Sequence, residues 1–358
     1  MNKGSPPRIL ATARLDLTAV ARLREVATVD LEGESTGSRP LTANELSERA
    51  PRYDLLIVET DPVTADVLQA NPKLVSVVCC RGTPVNVDVA CASSLGIPVL
   101  YTPGRNADAT ADFAVGLMID QLRHIGRTYH LLVSGELPGH RAAAATKGSS
   151  DTIWRLADGS LASRLWAGPE LRDLVLGLVG CGRIGEAVAH RALAFGMTVI
   201  AYDPYRSTAP SGVLLGTLDE LLANSDVVSI HCKLTPETEG LIGRAQLQRM
   251  KPGAILINTA RARLVDDGAL LEALTTGTLG GAALDVFATE PLPEDSPYLK
   301  LSNVTLTPHL GGASTSVVRR QSEMVVEDIL RLLQGELPLR QFGRPLQDSA
   351  SPTNVTSR

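Results

Sequence analysis

The 358-residue chain is poor in aromatic residues and in net positive charge, and it lacks long apolar runs. Only 3% of the residues are aromatic, which disfavours a surface that stacks exposed bases. Lysine and arginine number 34 against 39 aspartates and glutamates, whereas nucleic-acid-binding proteins usually carry a basic excess or a basic stripe. No apolar run reaches the roughly 18 residues that a membrane-spanning helix requires. We therefore expect neither a nucleic-acid partner nor a membrane partner.

Cysteine is also scarce, and the five cysteines match no zinc-binding spacing. Cys79 and Cys80 lie in an apolar run, where a thiol behaves as a small hydrophobic group. This usage favours reduced, buried thiols, no metal site and a cytoplasmic location. Residues 1–11 contain no long apolar segment, so we expect no secretory signal there.

Short β-rich apolar runs alternate with helical stretches in the first hundred residues, which is typical of a doubly wound parallel sheet. The predicted strands are 8–11, 54–58, 74–80 and 96–101. Helices are predicted at 64–69 and 86–95, with Asn86 as the cap of the second. The chain length corresponds to about two domains, so this series accounts for one of them.

A long helix is predicted over 106–133, and a Gly-, Ser- and Ala-containing segment at 134–165 is interpreted as a loop-rich insertion. A second alternating series follows. Its predicted strands are 173–179, 197–202, 225–231, 254–258, 281–285 and 304–307. Its predicted helices are 183–195, 218–223 and 266–275. A final amphipathic helix, about 313–333, is expected to pack back against the first series.

The sequence GCGRIG at 180–185 lies between a predicted strand and a predicted helix, which is the context that a dinucleotide-binding turn requires. Gly180 permits the tight turn, and Gly182 lets the backbone approach a pyrophosphate. Gly185 lets the helix and the strand pack closely. The amides and the dipole at the start of the helix would then hold the phosphates. The second series therefore reads as a dinucleotide-binding domain.

Asp203 ends the next predicted strand, at about the offset of ~20 residues at which such domains place an acidic residue. A carboxylate there accepts hydrogen bonds from the ribose hydroxyls and repels a 2′-phosphate. This favours NAD over NADP as the cofactor. Arg206 lies close by in the sequence and complicates the preference.

Ionisable residues follow three later strands of the second series. Arg261 is a planar cation suited to gripping a carboxylate or polarising a carbonyl. Asp285 and Glu290 follow one strand and His309 another, and a histidine beside a carboxylate is a tuned proton donor. The carboxyl ends of parallel strands meet at the ligand crevice. On this pattern alone two alternatives stay open. Arg261 and Arg263 could be solvated loop charges, and His309 could be a structural histidine.

These motifs together resemble the D-isomer-specific 2-hydroxyacid dehydrogenases from about residue 52 to 333. The resemblance rests on VGCGRIGEAVA, AYDP, SDVVSIHCKLTPETEGLI, MKPGAILINTARARLVDDGALLEAL, GAALDVFATEPLP and TPHLGGAS. It is closest to the D-3-phosphoglycerate dehydrogenase-like branch, without a regulatory domain. It implies an α/β fold of two doubly wound parallel-sheet domains. A Rossmann NAD-binding domain, 104–310, would be inserted into a flavodoxin-like substrate domain, 1–103 plus 311–358.

The resemblance also implies roles for individual residues. Arg261 would bind and orient a 2-oxo acid, His309 would be the acid/base, and Glu290 would be its partner. Asp285 would lie near the nicotinamide. The other implied cofactor contacts are Gly180, Gly182, Arg183, Ile184, Gly185, Asp203, His231, Thr235 and Thr259. The loop Arg81, Gly82 and Thr83 would hold the substrate carboxylate.

The implied activity is reversible hydride transfer between NAD(H) and a small D-2-hydroxy acid or 2-oxo acid, carried out by a homodimer. Thr83 and Val85 depart from the family pattern on the substrate side, so phosphoglycerate-, hydroxypyruvate- and glyoxylate-like substrates all stay open. A non-enzymatic NAD(H)-sensing, corepressor-like protein on the same fold is the alternative, because it would keep the cofactor site. Glu290 argues against a formate dehydrogenase, in which an amide side chain pairs with the histidine.

Overall fold

The computed structural model describes residues 5–137, 154, 156, 158 and 160–344, and they form two compact units. The first unit combines the described residues up to Arg105 with those from Ser314 onward. The second unit is Asn106–Ala313. The bounds predicted from the sequence for the inserted domain, 104–310, differ from the limits of the second unit by two or three residues.

The first unit contains a five-stranded parallel sheet. Its strands are β1 (Arg8–Ala11), β2 (Thr28–Leu31), β3 (Leu55–Val58), β4 (Ser76–Cys79) and β5 (Val99–Tyr101). The helices between them are α1 (Leu17–Arg24), α2 (Ala43–Arg49), α3 (Ala65–Ala70) and α4 (Val89–Ser94). The strand order is β2-β1-β3-β4-β5, which is the flavodoxin-like order predicted for this domain.

The second unit contains a seven-stranded parallel sheet. Its helices before and beside the sheet are α5 (Ala107–Arg123), α6 (Ile125–Val133), α7 (Ala162–Leu165), α8 (Arg183–Ala194), α9 (Leu218–Asn224), α10 (Arg244–Arg249) and α11 (Asp267–Thr275). Its strands are β6 (Val175–Val179), β7 (Thr198–Tyr202), β8 (Val213–Leu215), β9 (Val227–Ile230), β10 (Ile255–Asn258), β11 (Gly281–Leu284) and β12 (Val304–Leu306). The order β12-β11-β10-β9-β6-β7-β8 is the Rossmann order extended by one strand. The predicted fold class is confirmed.

The central strands are mostly apolar because helices cover both faces of each sheet. Every residue of β3, β9 and β10 is buried. In the second unit, one hydrophobic cluster joins α5 and α8 to the sheet, and another joins α9, α10 and α11 to it. This packing fixes the carboxyl ends of the strands, where the candidate site lies.

The last helix, α12 (Thr315–Leu333), packs within the first unit. Its Val325, Val326 and Ile329 share a hydrophobic cluster with β1 and α1. The predicted return of the terminal helix to the first series is therefore confirmed. Beyond it, Gln341 pairs antiparallel with Leu100 at the free edge of β5.

The predicted single helix over 106–133 is wrong, because the chain forms α5 and α6 with a break at His124. His124 adopts a left-handed conformation (φ 57°), which an α-helix cannot continue. Asp120 accepts a hydrogen bond from the Gly126 amide at 2.6 Å, and the His124 ring packs edge-on against Trp166. These contacts stabilise the corner between the two helices.

The expected cap at Asn86 is also wrong. Asp88 caps α4 instead, accepting a hydrogen bond from the Cys91 amide at 2.9 Å. The Asn86 side chain donates to the Asp61 carbonyl at 2.7 Å, so it fastens the loop before the helix.

Most of the predicted insertion at 134–165 lies outside the described residues. Among the helices that the structure describes, none is long and apolar enough to cross a membrane.

Candidate active site

Six strands of the second unit end at one edge of the sheet, and most predicted site residues follow them directly. In sheet order these are His309 after β12, Asp285 after β11, Thr259 and Arg261 after β10, His231 after β9, Gly180 after β6 and Asp203 after β7. The strand order reverses between β6 and β9. An open parallel sheet forms its ligand crevice at such a switch point, outside the carboxyl ends of the strands.

The glycine-rich turn after β6 is shaped by close backbone packing. Gly180 has φ +94°, and a Cβ there would lie 2.6 Å from the Cys232 amide nitrogen. A Cβ on Gly185 would lie 2.2 Å from the Gly180 carbonyl oxygen. A Cβ on Gly182, in contrast, would meet nothing within 4 Å. Packing thus requires the first and third glycines, and the middle glycine leaves an open face on the turn.

A dinucleotide fits this edge of the sheet. Gly182 caps α8, so the amides of the first turn, beginning at Arg183, point into the open face as an anion site requires. Ile184 packs beside the core and fixes the helix start. Thr259 is 8% exposed, and its buried hydroxyl has no hydrogen-bond partner in the described part of the chain. A bound ligand with polar groups would satisfy that hydroxyl.

Asp203 is held beside the glycine-rich turn by two backbone amides. Its Oδ2 accepts a hydrogen bond from the Cys181 amide at 2.9 Å, and its Oδ1 accepts one from the Tyr205 amide at 3.0 Å. Each carboxylate oxygen keeps further acceptor capacity. The carboxylate is therefore fixed beside the glycine-rich turn, and its contact with a ribose stays a prediction.

His309 and Glu290 form a hydrogen-bonded pair. The His309 Nδ1 and Glu290 Oε2 atoms lie 2.8 Å apart, and Glu290 Oε1 accepts a bond from the Phe287 amide at 3.0 Å. Partial burial raises the pKa of Glu290, but the bonds from His309 and Phe287 and the charge of Arg261 lower that pKa below its ordinary value. Glu290 thus stays ionised at neutral pH. Its bond to Nδ1 leaves Nε2 as the ring nitrogen that can serve a substrate.

Asp285 anchors the loop that carries His309, a role that sequence reasoning missed. His309 has φ 55°, a left-handed conformation that costs a non-glycine residue about 1–3 kcal/mol. The fully buried Asp285 carboxylate accepts hydrogen bonds from Thr307 Oγ1 at 2.6 Å, the Leu310 amide at 2.8 Å and the Gly311 amide at 2.7 Å. These bonds bracket His309 and hold its backbone in the strained conformation. The implied proximity of Asp285 to a nicotinamide stays a prediction.

Arg261 and Arg263 follow β10 but differ in their surroundings. Arg263 Nη2 pairs with Glu239 Oε1 at 2.5 Å. Arg261 is exposed, and its positive charge acts on Glu290. The Asn258 side chain shapes this turn, because it accepts from the Ala260 amide at 3.0 Å and donates to the Arg261 carbonyl at 2.9 Å. Arg261 is therefore the one of the two whose charge is known to reach Glu290, and its binding of a substrate anion stays a prediction.

His231 packs against the glycine-rich turn, and its imidazole is neutral. Burial lowers the pKa of His231 to about 4, and its Nε2 lies 2.8 Å from Ser229 Oγ. Thr235, which was also predicted to line the crevice, begins a turn in which its amide donates to Thr238 Oγ1 at 2.8 Å. Contact of either residue with a cofactor stays a prediction.

His231 should make the stability of the second unit depend on pH. Because its pKa falls from 6.5 to about 4 on folding, the unfolded chain binds the extra proton between these values. The free energy of unfolding should therefore fall by about 2 kcal/mol from pH 7 to pH 5 through this residue alone. Denaturant titration of the wild type and of His231→Gln at both pH values measures it. Identical pH dependence in the two proteins would contradict the assignment.

The predicted substrate loop lies after β4 in the first unit. The Arg81 amide donates to the Cys79 carbonyl at 2.8 Å, and the Arg81 carbonyl accepts from the Thr102 amide at 3.0 Å. Gly82 and Thr83 are exposed, and a Cβ on Gly82 would meet nothing within 4 Å. The loop backbone is therefore anchored at Arg81 and open beyond it. Its part in substrate binding stays a prediction.

A glycine-rich turn in a Rossmann-ordered sheet, with a histidine–carboxylate pair at the same edge, is the arrangement of a nicotinamide-dependent oxidoreductase. The family model described as "D-isomer specific 2-hydroxyacid dehydrogenase, NAD binding domain" matches residues 115–311. The chain belongs to this family, as its motifs predicted. It is an NAD-dependent oxidoreductase that acts on the CH–OH group of small D-2-hydroxy acids.

Individual relatives support the same family. A glyoxylate reductase from Korarchaeum cryptofilum is 37% identical over 336 residues, which cover 93% of this chain and 94% of the relative. A D-3-phosphoglycerate dehydrogenase from Methanocaldococcus jannaschii is 38% identical over 336 residues, but this chain spans only 58% of its length. The crystal structure of the TT0316 protein from Thermus thermophilus superimposes with a TM-score of 0.77 at 37% identity, covering 94% of this chain and 99% of that one. These comparisons give no support to a non-enzymatic NAD(H) sensor.

Proposed function

We propose that the protein reduces a compact 2-oxo acid, such as glyoxylate or hydroxypyruvate, to the corresponding 2-hydroxy acid with NADH, and that the product is the D-enantiomer where C2 is a stereocentre. The observation that carries this proposal is the 2.8 Å His309–Glu290 pair, held in place by Asp285 next to Arg261. The relative named glyoxylate reductase is matched along nearly its whole length, which favours a small substrate over phosphoglycerate. A phosphorylated substrate would need a further cation, for which Arg81 is a candidate.

His309 acts as the acid in this proposal. NADH, when bound at the glycine-rich turn, would supply the hydride for C2 of the substrate. His309 donates a proton from Nε2 to the carbonyl oxygen as negative charge develops there, a contribution of roughly 10²–10⁴-fold. Glu290 orients the ring through its contact with Nδ1. Arg261 binds the substrate carboxylate and orients the carbonyl. In the oxidation direction, neutral His309 takes the proton back.

A substrate panel tests this function. Glyoxylate, hydroxypyruvate and phosphohydroxypyruvate would each be mixed with the protein and either NADH or NADPH, and coenzyme absorbance would be followed. We expect turnover with glyoxylate or hydroxypyruvate, and faster turnover with NADH because Asp203 repels a 2′-phosphate. Turnover only with phosphohydroxypyruvate would overturn the proposed substrate class. NADH binding without turnover on any 2-oxo acid would favour the sensor.

We also propose that the protein is a homodimer. Helix α6 has no buried residue, yet it exposes the apolar side chains Ile125, Tyr129, Leu132 and Val133. A helix with such an apolar face needs a partner to cover it. Sedimentation of the wild type should show a dimer, and Tyr129→Glu with Leu132→Glu should shift it to the monomer. The control Leu17→Glu, at an exposed site in the first unit, should leave the dimer intact; a monomeric wild type would refute this assembly.

A cytoplasmic location is proposed from the thiols. All five cysteines are free, and three of them, Cys79, Cys80 and Cys181, are buried. Unpaired thiols in this number suit a reducing compartment. Fractionation of the native host cells with an antibody to this protein would test the location, and recovery outside the cytoplasmic fraction would contradict it.

A further inference from the structure

The glycine-rich turn carries an ion pair that the proposed chemistry does not use. Arg206 Nη2 lies 3.1 Å from Glu186 Oε2, and Arg206 Nη1 lies 3.4 Å from Cys181 Sγ. Both charged side chains are about one-third exposed, so they lie at the surface of the turn. Glu186 belongs to the first turn of α8, directly after Gly185. The pair therefore lies beside the predicted coenzyme site.

Arg206 and Asp203 both contact Cys181. The Cys181 amide donates to Asp203 Oδ2 at 2.9 Å, while the Cys181 sulfur contacts the Arg206 guanidinium. A carboxylate in this place favours the free ribose hydroxyls of NAD, whereas an arginine nearby accommodates the 2′-phosphate of NADP. The chain thus carries the groups for both coenzymes next to each other.

In the structure the Arg206 guanidinium is already paired, whereas the Asp203 carboxylate is held in place and can still accept hydrogen bonds. Asp203 is oriented by two backbone amides, so its position does not depend on a flexible partner. Arg206 points its guanidinium at Glu186 and Cys181. A 2′-phosphate would have to compete with Glu186 for that guanidinium and would also face the charge of Asp203.

We propose that Glu186 is a specificity-determining residue, which holds Arg206 against the glycine-rich turn and thereby keeps it from binding the 2′-phosphate of NADPH. This inference rests on the proposed function, because it needs the coenzyme to bind at this turn. Asp203 and Glu186 then act together: one repels the phosphate, and the other occupies the cation that would attract it.

The test measures coenzyme dissociation constants by fluorescence titration, without substrate. Glu186→Gln should strengthen NADPH binding relative to NADH by about two- to fivefold, the range that a partly exposed ion pair gives. Asp203→Ser should shift the same ratio further, by about 10- to 100-fold, because it removes the carboxylate that repels the 2′-phosphate. Adding Arg206→Ala to Glu186→Gln should remove most of the gain of Glu186→Gln, because the gain requires the released guanidinium.

Glu272→Gln is the matched control, since Glu272 pairs with Arg244 at another exposed site of the second unit. It should leave both dissociation constants as in the wild type. An unchanged NADPH-to-NADH ratio in Glu186→Gln, or an equal gain with and without Arg206, would overturn the role of Glu186. Failure of the wild type to bind either coenzyme would instead overturn the proposed function itself.

Discussion

Replacing His309 with glutamine should lower kcat for reduction of a 2-oxo acid by about 10²–10⁴-fold. Glutamine can still donate a hydrogen bond to Glu290, but it has no proton to transfer at neutral pH. The glycine-rich turn and Asp203 lie on other strands of the sheet, so the dissociation constant for NADH should stay within about threefold of the wild type. Steady-state kinetics and a fluorescence titration with NADH measure the two quantities.

The control for this prediction is His190→Gln, which makes the same substitution at an exposed histidine on α8. It should leave kcat near the wild-type value. If His309→Gln retained kcat within a factor of three, His309 would lose its role as the acid. A large loss of NADH binding in His309→Gln would instead show that the substitution disturbs the sheet edge as a whole.

Replacing Gly182 with alanine should weaken NADH binding by about 10- to 100-fold without destabilising the fold. A Cβ at Gly182 meets nothing within 4 Å, so the methyl group fits the protein alone. It would occupy the open face of the turn that a pyrophosphate must approach. Titration with NADH should therefore show weaker binding by this variant, whereas thermal denaturation should show the stability of the wild type.

Gly180→Ala is the matched comparison. A Cβ there would lie 2.6 Å from the Cys232 amide nitrogen at a φ of +94°, so this variant should also lose at least about 2 kcal/mol of unfolding free energy. Wild-type NADH affinity in Gly182→Ala would contradict the placement of the pyrophosphate on the turn. Wild-type stability in Gly180→Ala would contradict the packing described for the first glycine.

The central strands and the strand-end residues could be predicted because their signals are local. Strands β9 and β10 are short, mostly apolar and fully buried, and the glycine-rich turn joins β6 to α8 with a fixed spacing. Since all strands of the second sheet run parallel, residues that follow different strands must meet at one edge. This rule is enough to group Arg261, Asp285 and His309 from the amino-acid sequence alone.

The elements that sequence reasoning missed have weak local signals. Strands β2 and β8 lie at edges of their sheets and are only partly buried. Asp30 interrupts the apolar pattern of β2, and β8 is only three residues long. Helices α1, α2 and α10 were missed as well, and each is only six to eight residues long. The break at His124 is stabilised in part by a ring contact with Trp166, which lies far along the chain. Such tertiary contacts override the local helical pattern.

The hydrogen bonds and the backbone conformation of the site could not be predicted from the sequence either. Asp285 bonds to the segment around His309 because β11 and β12 are neighbours in the sheet, and no spacing rule states which amides it receives. Those bonds hold His309 in its left-handed backbone conformation, which no neighbouring residue in the sequence indicates. The contact of Arg206 with Glu186 likewise joins the loop after β7 to the first turn of α8.

Hydride transfer to C2 is tested most directly with NADH that carries deuterium at C4 in the transferable position. The protein would be incubated with labelled NADH and glyoxylate or hydroxypyruvate, and the product examined by mass spectrometry and chiral chromatography. We expect one deuterium at C2 of the hydroxy acid and, with hydroxypyruvate, the D-enantiomer. Unlabelled product, the L-enantiomer, or no product from any 2-oxo acid would contradict it.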